Sequence, residues 1–339
     1  MRREYFNVLR VVSAFAVVLL HSNEGIWIFS YDPYWFEATV ITMVLFFAVP
    51  CFIMISGALL IDYSDHYSTI TFIKKRVKKT LVPYVAWCLI GIVYLIFRGA
   101  LNTNQLNMVT VIRMIINNEV LPIYWYLTEL FAVYLITPVL TVIPKDKRKT
   151  TFEYIIISIF ILNIMVPFIA SSSKLGNMDV QMPLTTICLF YVTGYYLDRY
   201  LQLEKFKIVY MLGLVGGLIL LVGTIVASYK AGSLVETYMG YTNFPCVLFS
   251  ISVFCLFKQL VDIRKEGRNL FTQVVMLLVN ETFGIYLVHW YVLNEIKVHL
   301  GLNYTDFMYR IPMGIAAFFI SWLIVKILRM IPIVKHIVP

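Results

Sequence analysis

The chain has 339 residues, of which 60% are hydrophobic and only 14% charged, with a mean hydropathy of +0.80. This excludes a soluble globular domain and leaves room for roughly nine to eleven apolar spans of about 20 residues each. The formal charge of +9 reads as the Lys/Arg bias that orients membrane proteins, not as a nucleic-acid surface.

The first predicted helix, residues 7–28, carries Arg10 and His21. At about 100° per residue their separation is some 20° past three full turns, so both side chains leave one face roughly 16 Å apart along the axis. Asn7 and Glu24 fall near the same line and extend a polar seam that Ala14, Val17 and Val18 interrupt. Ionisable residues in a span should face protein or a water-filled cavity, which makes the seam a functional hypothesis. Arg2 and Arg3 before an apolar run resemble a signal peptide. The run carries Arg10, lacks a small-residue cleavage site and is followed by further spans, so it reads as a retained helix.

Nine further helices are predicted over residues 36–60, 81–97, 123–143, 154–169, 184–196, 208–229, 244–260, 274–293 and 311–333. Counted loop by loop, 21 of the 28 Lys and Arg residues fall on the side of the N-terminus and 6 on the other, with Arg10 inside the first helix. That alternation implies cytoplasmic termini, Arg10 towards the cytoplasm and His21 towards the outside. The expectation is an all-α, polytopic membrane bundle of about ten helices. It forms one transmembrane domain over residues 1–339 with no separate soluble domain.

In the second helix, FFAVPCFIMISGALL places Pro50, Ser56 and Gly57 in a pattern of kinking and close packing. No nucleophile elbow surrounds the serine. The loop that follows holds Lys74, Lys75, Arg76, Lys78 and Lys79. These cations suit the phosphates of a nucleotide-like ligand; the positive-inside bias or anionic lipid explains them equally simply. In the fourth helix Tyr124, Trp125 and Tyr126 form either an interfacial belt or a sugar-binding mouth. Glu129 there calls for a partner across the bundle, His21 or Arg113. The ninth helix carries Glu281 and His289, the latter either a core residue or a functional one. Cys51, Cys88, Cys188, Cys246 and Cys255 sit alone in apolar segments and read as small buried hydrophobes, so no metal is expected. Motifs for zinc hydrolysis, nucleotide hydrolysis and dinucleotide redox are missing.

Taken in order, the Arg10–His21 pair, FFAVPCFIMISGALL, KKRVKKTLVPY, WYLTELFAVYLITPVL and FGIYLVHW resemble the acyltransferase-three family of bacterial membrane O-acyltransferases, across nearly the whole chain. The resemblance implies a ten-helix bundle in the bacterial cytoplasmic membrane. Such a bundle takes an acetyl group from acetyl-CoA and places it on a hydroxyl of an envelope glycan or lipid-linked saccharide. It ties Arg10 and His21 most closely to catalysis, with Ser56, Gly57, Arg76, Pro83, Trp125 and His289 at further motif positions. The chain departs from the family at Asn7, where an acidic residue is frequent, at Tyr124, where a histidine is, and at Lys79, where an arginine is.

The mechanism expected from these residues has His21 as general base on an acceptor hydroxyl, oriented by Glu24 or Glu129. A covalent acyl-histidine is the alternative. Arg10 pairs with a CoA phosphate or positions the thioester, Lys75, Arg76 and Lys79 anchor the nucleotide end, and Tyr124, Trp125 and His289 contact the acceptor. A rival of another class is a transporter or flippase of a lipid-linked glycan, in which the seam is a translocation path without covalent chemistry.

Overall fold

A computed structural model describes residues 4–173, 185–263 and 270–339. Arg2 and Arg3, residue 184 of the sixth predicted helix, and Lys174, Arg264, Lys265 and Arg268 from the loop-by-loop charge count lie outside the described residues. The helices run in chain order as α1 (Glu4–Ser22), α2 (Pro33–Leu45), α3 (Ala48–Leu60), α4 (Thr69–Arg76), α5 (Val82–Phe97), α6 (Met108–Ile116), α7 (Trp125–Thr141) and α8 (Lys145–Ile159). They continue as α9 (Val166–Ser172), α10 (Thr186–Tyr200), α11 (Phe206–Leu218), α12 (Thr224–Ala231), α13 (Phe244–Ile263), α14 (Leu270–Leu278), α15 (Thr282–Leu300) and α16 (Gly314–Met330). Among the described residues there is no strand, and the protein is an all-α, polytopic membrane bundle. Among the described residues eight helical stretches are long and apolar enough to cross a membrane. The two other predicted spans correspond to α10, only 15 residues long, and α15, both packed within the bundle.

Helix α1 is the centre, packing on α3, α13, α15 and α16, and most of its residues are buried. The stretches containing α8 and α11 are peripheral, with few of their residues buried, as expected where apolar side chains meet lipid rather than protein. Near one end of the bundle the fully buried Arg148 clamps three segments. It pairs with Asp62 at 2.5 Å and donates to the Thr141 and Ile143 carbonyls, while Arg199 and the Tyr195 hydroxyl also reach Asp62. A guanidinium can be buried when its donors are matched in this way.

The structure corrects three predicted boundaries, each for a local reason. The first helix ends at Ser22 rather than at residue 28. Its hydroxyl bonds the Leu19 and Arg310 carbonyls, Asn23 is tied to the Ala38 carbonyl and Thr42, and the chain turns into a 3-10 segment, Glu24–Trp27. Glu24 is therefore not on the helical line drawn through Arg10 and His21. The second predicted helix divides at Phe46–Phe47, because Pro50 has no N–H to offer the Phe46 carbonyl four residues back; the Cys246 thiol faces that carbonyl at 3.9 Å instead. The ninth divides at residues 279–281, where Glu281 pairs with Arg329 at 3.1 Å.

Two other features position the site. Gly57 on α3 and Gly194 on α10 each lie against backbone of the other helix, so that a Cβ would meet the Tyr191 or Met54 carbonyl oxygen at 1.8 or 2.0 Å. Between α4 and α5, Val77–Leu81 forms a π-turn, fitting the missing N–H of Pro83. Helix α6 was not foreseen. It is a short amphipathic piece capped by the Asn107 side chain, with Met108, Val109, Ile112 and Ile116 exposed.

Candidate active site

Two cavities open at the two ends of α1. The one at the Arg10 end has a volume of about 340 Å³ and is lined by Arg10 from α1, Ser56 from α3, Arg76 from α4, Lys79 and Thr80 from the π-turn, Tyr126, Tyr134, Asn280 and Tyr286. Three cations line it and no aspartate or glutamate does. Arg76 lies over the Phe72 and Tyr134 rings, 5.6 and 5.5 Å from their centres, and its buried Nε has no hydrogen-bond partner. A buried N–H left unsatisfied is costly unless a ligand completes it. The widened π-turn brings Lys79 and Thr80 to the same wall as Arg76. Lys75 faces elsewhere, its Nζ 3.7 Å from the Tyr67 ring centre, so the expected cluster of cations is split and Lys75 is not in the wall of this cavity.

The cavity at the His21 end holds about 280 Å³. His21 and Glu24 lie on one side, with His21 Nδ1 3.7 Å from Glu24 Oε1. Trp27, Trp125 and Tyr241 supply aromatic walls, and Glu236 supplies a second carboxylate. Tyr241 is stacked between Phe46 and Trp125, at centroid distances of 4.3 and 5.4 Å. The break after α2 is what allows Phe46 to join this stack. Glu24 and Tyr304 line a second small cavity together with His21, and the Tyr304 hydroxyl is pushed up to about 12 by burial first and the Glu24 charge next. Tyr304 therefore stays protonated and remains a donor. Lys297 caps the same group, its Nζ 3.4 Å from the Tyr304 ring centre.

Tyr126 and Tyr286 line both cavities. Their rings meet edge to face at 5.7 Å, and the Tyr286 hydroxyl donates to the Ile123 carbonyl. The polar seam predicted along α1 is thus divided by a wall of two tyrosines.

Several predicted residues lie elsewhere. Tyr124 is fully buried in the turn before α7 and donates to the Leu287 carbonyl at 2.7 Å; it lines neither cavity, whereas Trp125 lines the one at the His21 end and Tyr126 lines both. His289 is fully buried behind His21, with ring centres 5.1 Å apart, its Nδ1 2.7 Å from the Tyr286 carbonyl and its Nε2 without a hydrogen-bond partner. It lines neither cavity and packs against His21 and Tyr286 instead. Glu129 also lines neither, and it pairs with neither His21 nor Arg113; Arg113 sits 3.7 Å from Glu119 instead. Asn7 turns away to Met276. Glu236, Tyr241 and Tyr286 were not singled out from the sequence. Only Tyr286 carried a signal, three residues before His289 on one helix face. Among the described residues no group of three His, Cys, Asp or Glu side chains could hold a metal ion.

A family model described as an acyltransferase domain matches residues 3–326, nearly the whole chain. No protein of curated function and no solved structure matches.

Proposed function

The chain belongs to this family of membrane acyltransferases, and from that premise we propose that it is a bacterial cytoplasmic-membrane O-acetyltransferase. It moves an acetyl group from cytoplasmic acetyl-CoA to a hydroxyl of an envelope glycan or lipid-linked saccharide. The observation that carries this reading is the reversal of charge along α1, from a cavity with Arg10, Arg76 and Lys79 to one with His21, Glu24 and Glu236. The first suits the phosphates of CoA, because guanidinium and ammonium donors make charge-assisted bonds to phosphate oxygens. The second suits a hydroxyl to be deprotonated beside aromatic faces that stack on a sugar ring.

In this mechanism the acceptor hydroxyl gives its proton to the His21 nitrogen that faces away from Glu24, and its oxygen bonds to the acyl carbonyl carbon. The carbon–sulfur bond breaks, and the CoA sulfur leaves with the proton that His21 took up, which restores the neutral imidazole. Glu24 fixes the ring of His21 and stabilises the imidazolium. Tyr304 holds Glu24 in turn. The acyl end of the donor passes the wall of Tyr126 and Tyr286 to reach His21, and the wall keeps water from the thioester until it does. With both termini cytoplasmic, the Arg10 end faces the donor compartment and the 339 residues act as a single transmembrane domain.

The test is release of CoA thiol from acetyl-CoA by purified protein, with transfer of the acetyl group to added glycan followed by mass spectrometry. The reading expects both in the wild type and neither in His21→Ala. Movement of a lipid-linked glycan across vesicles without any acetyl transfer would identify a transporter instead.

A further inference from the structure

The cavity at the His21 end has a chemistry narrower than that of a general sugar site. Its volume of about 280 Å³ falls just below the roughly 300–1,000 Å³ that takes a drug-sized molecule, leaving space for one sugar ring rather than a chain. Trp27 and Trp125 offer indole faces, Trp125 having one side taken by Tyr241. Two carboxylates line it, Glu24 and the exposed Glu236, and no lysine or arginine does. Lys297 stands outside the lining, engaged by the Tyr304 ring and the Glu24 charge.

We propose that this cavity admits a sugar ring without negative charge, neutral or amine-bearing, and rejects rings that carry a carboxylate or phosphate. The inference rests on the reading of this cavity as the acceptor site and adds the acceptor's charge to it. An anionic ring in this cavity meets Glu236 and Glu24 with no lysine or arginine in the lining, Lys297 reaching the Glu24 charge only from outside it, and like charges brought together at an interface oppose binding. At an effective dielectric between protein surface and water, one such repulsion corresponds to about tenfold in affinity. A neutral ring loses nothing there. An amine-bearing ring gains from both carboxylates and from the indole faces.

The experiment uses the full chain in nanodiscs without any donor, and reads quenching of tryptophan fluorescence by methyl glucoside, methyl glucosaminide and methyl glucuronide. The glucuronide is expected to bind at least about tenfold more weakly than the glucoside. Glu236→Lys should close most of that gap, Glu236→Gln part of it, and Trp125→Ala should weaken all three sugars. Glu236 lies on the surface, so neither substitution at it disturbs packing. Equal or tighter binding of the glucuronide, an unchanged ratio in both Glu236 variants, or no binding of any of the three overturns the proposal. Because donor and turnover are absent, the outcome separates from that of the acyl-transfer reading. The stated preference without acetyl transfer removes the reaction and keeps the site. Transfer onto anionic acceptors keeps the reaction and removes the preference.

Discussion

The two ends of α1 are built from the same kinds of material, an apolar bundle with a few polar side chains, yet they differ in charge and in the way that charge is held. At the Arg10 end the cations come from α1, α4 and the π-turn, and the buried Nε of Arg76 lacks a protein partner. At the His21 end the polar groups around the histidine stand together: His21 beside Glu24, Glu24 beside Tyr304, and Tyr304 under Lys297. The unsatisfied Nε of Arg76 suits an anionic ligand that arrives with its own acceptors. A braced base suits proton transfer, where a fixed ring position matters more than free binding capacity. Tyr126 and Tyr286, common to both cavities, mark where one chemistry gives way to the other.

The comparison breaks most sharply at His21. Replacing it with alanine should lower the turnover number by about 10²–10⁴-fold, the usual contribution of a positioned general base, with the KM for acetyl-CoA little changed, as steady-state thiol release would show. Next comes the basic end, where Arg10→Gln or Arg76→Gln each removes charge-assisted hydrogen bonds of about 1.5–3 kcal/mol. The expected result is a rise of about 10–100-fold in the KM for acetyl-CoA and an unchanged acceptor KM. Arg76→Lys should recover only part of this, since an ammonium cannot reproduce the planar fork. At the wall, Tyr286→Ala should divert acetyl groups to water. Thiol release without acceptor would rise by about threefold or more while transfer falls, as loss of water exclusion implies. The smallest effect belongs to Lys75→Ala, under about twofold in any kinetic constant, because that exposed ammonium contacts Tyr67 outside the cavity.

Much of this arrangement was legible in the sequence. Periodicity and loop charge located the helices, and the spacing of Arg10 and His21 put them on one face of α1. What escaped depends on contacts between segments distant in sequence. Ser22 ends α1 because the Arg310 carbonyl is there to receive its hydroxyl, which a helical projection does not contain, and Glu24 consequently reaches His21 from a 3-10 turn. Tyr124 and Trp125 are equivalent in an aromatic run; the turn over Pro122–Tyr124 sends the first into the core and the second into the cavity. Lys75 and Lys79 are equivalent in a basic run; the π-turn turns only the second inward. Glu129 was assigned a partner on the principle that buried charges are paired, and its surroundings supply neither expected one. Glu236 sits in the irregular segment between α12 and α13, where no pattern marks a residue for a distant cavity.

The central claim is that donor and acceptor meet at His21 from opposite faces of the membrane. Its most direct measurement places the protein in sealed inverted vesicles, with labelled acetyl-CoA outside, at the Arg10 end, and glycan acceptor enclosed within. The account predicts acetylated glycan inside the vesicles and free CoA outside, both abolished by His21→Ala. Label reaching only an acceptor supplied on the same face as acetyl-CoA, or transfer that persists in His21→Ala, would contradict it.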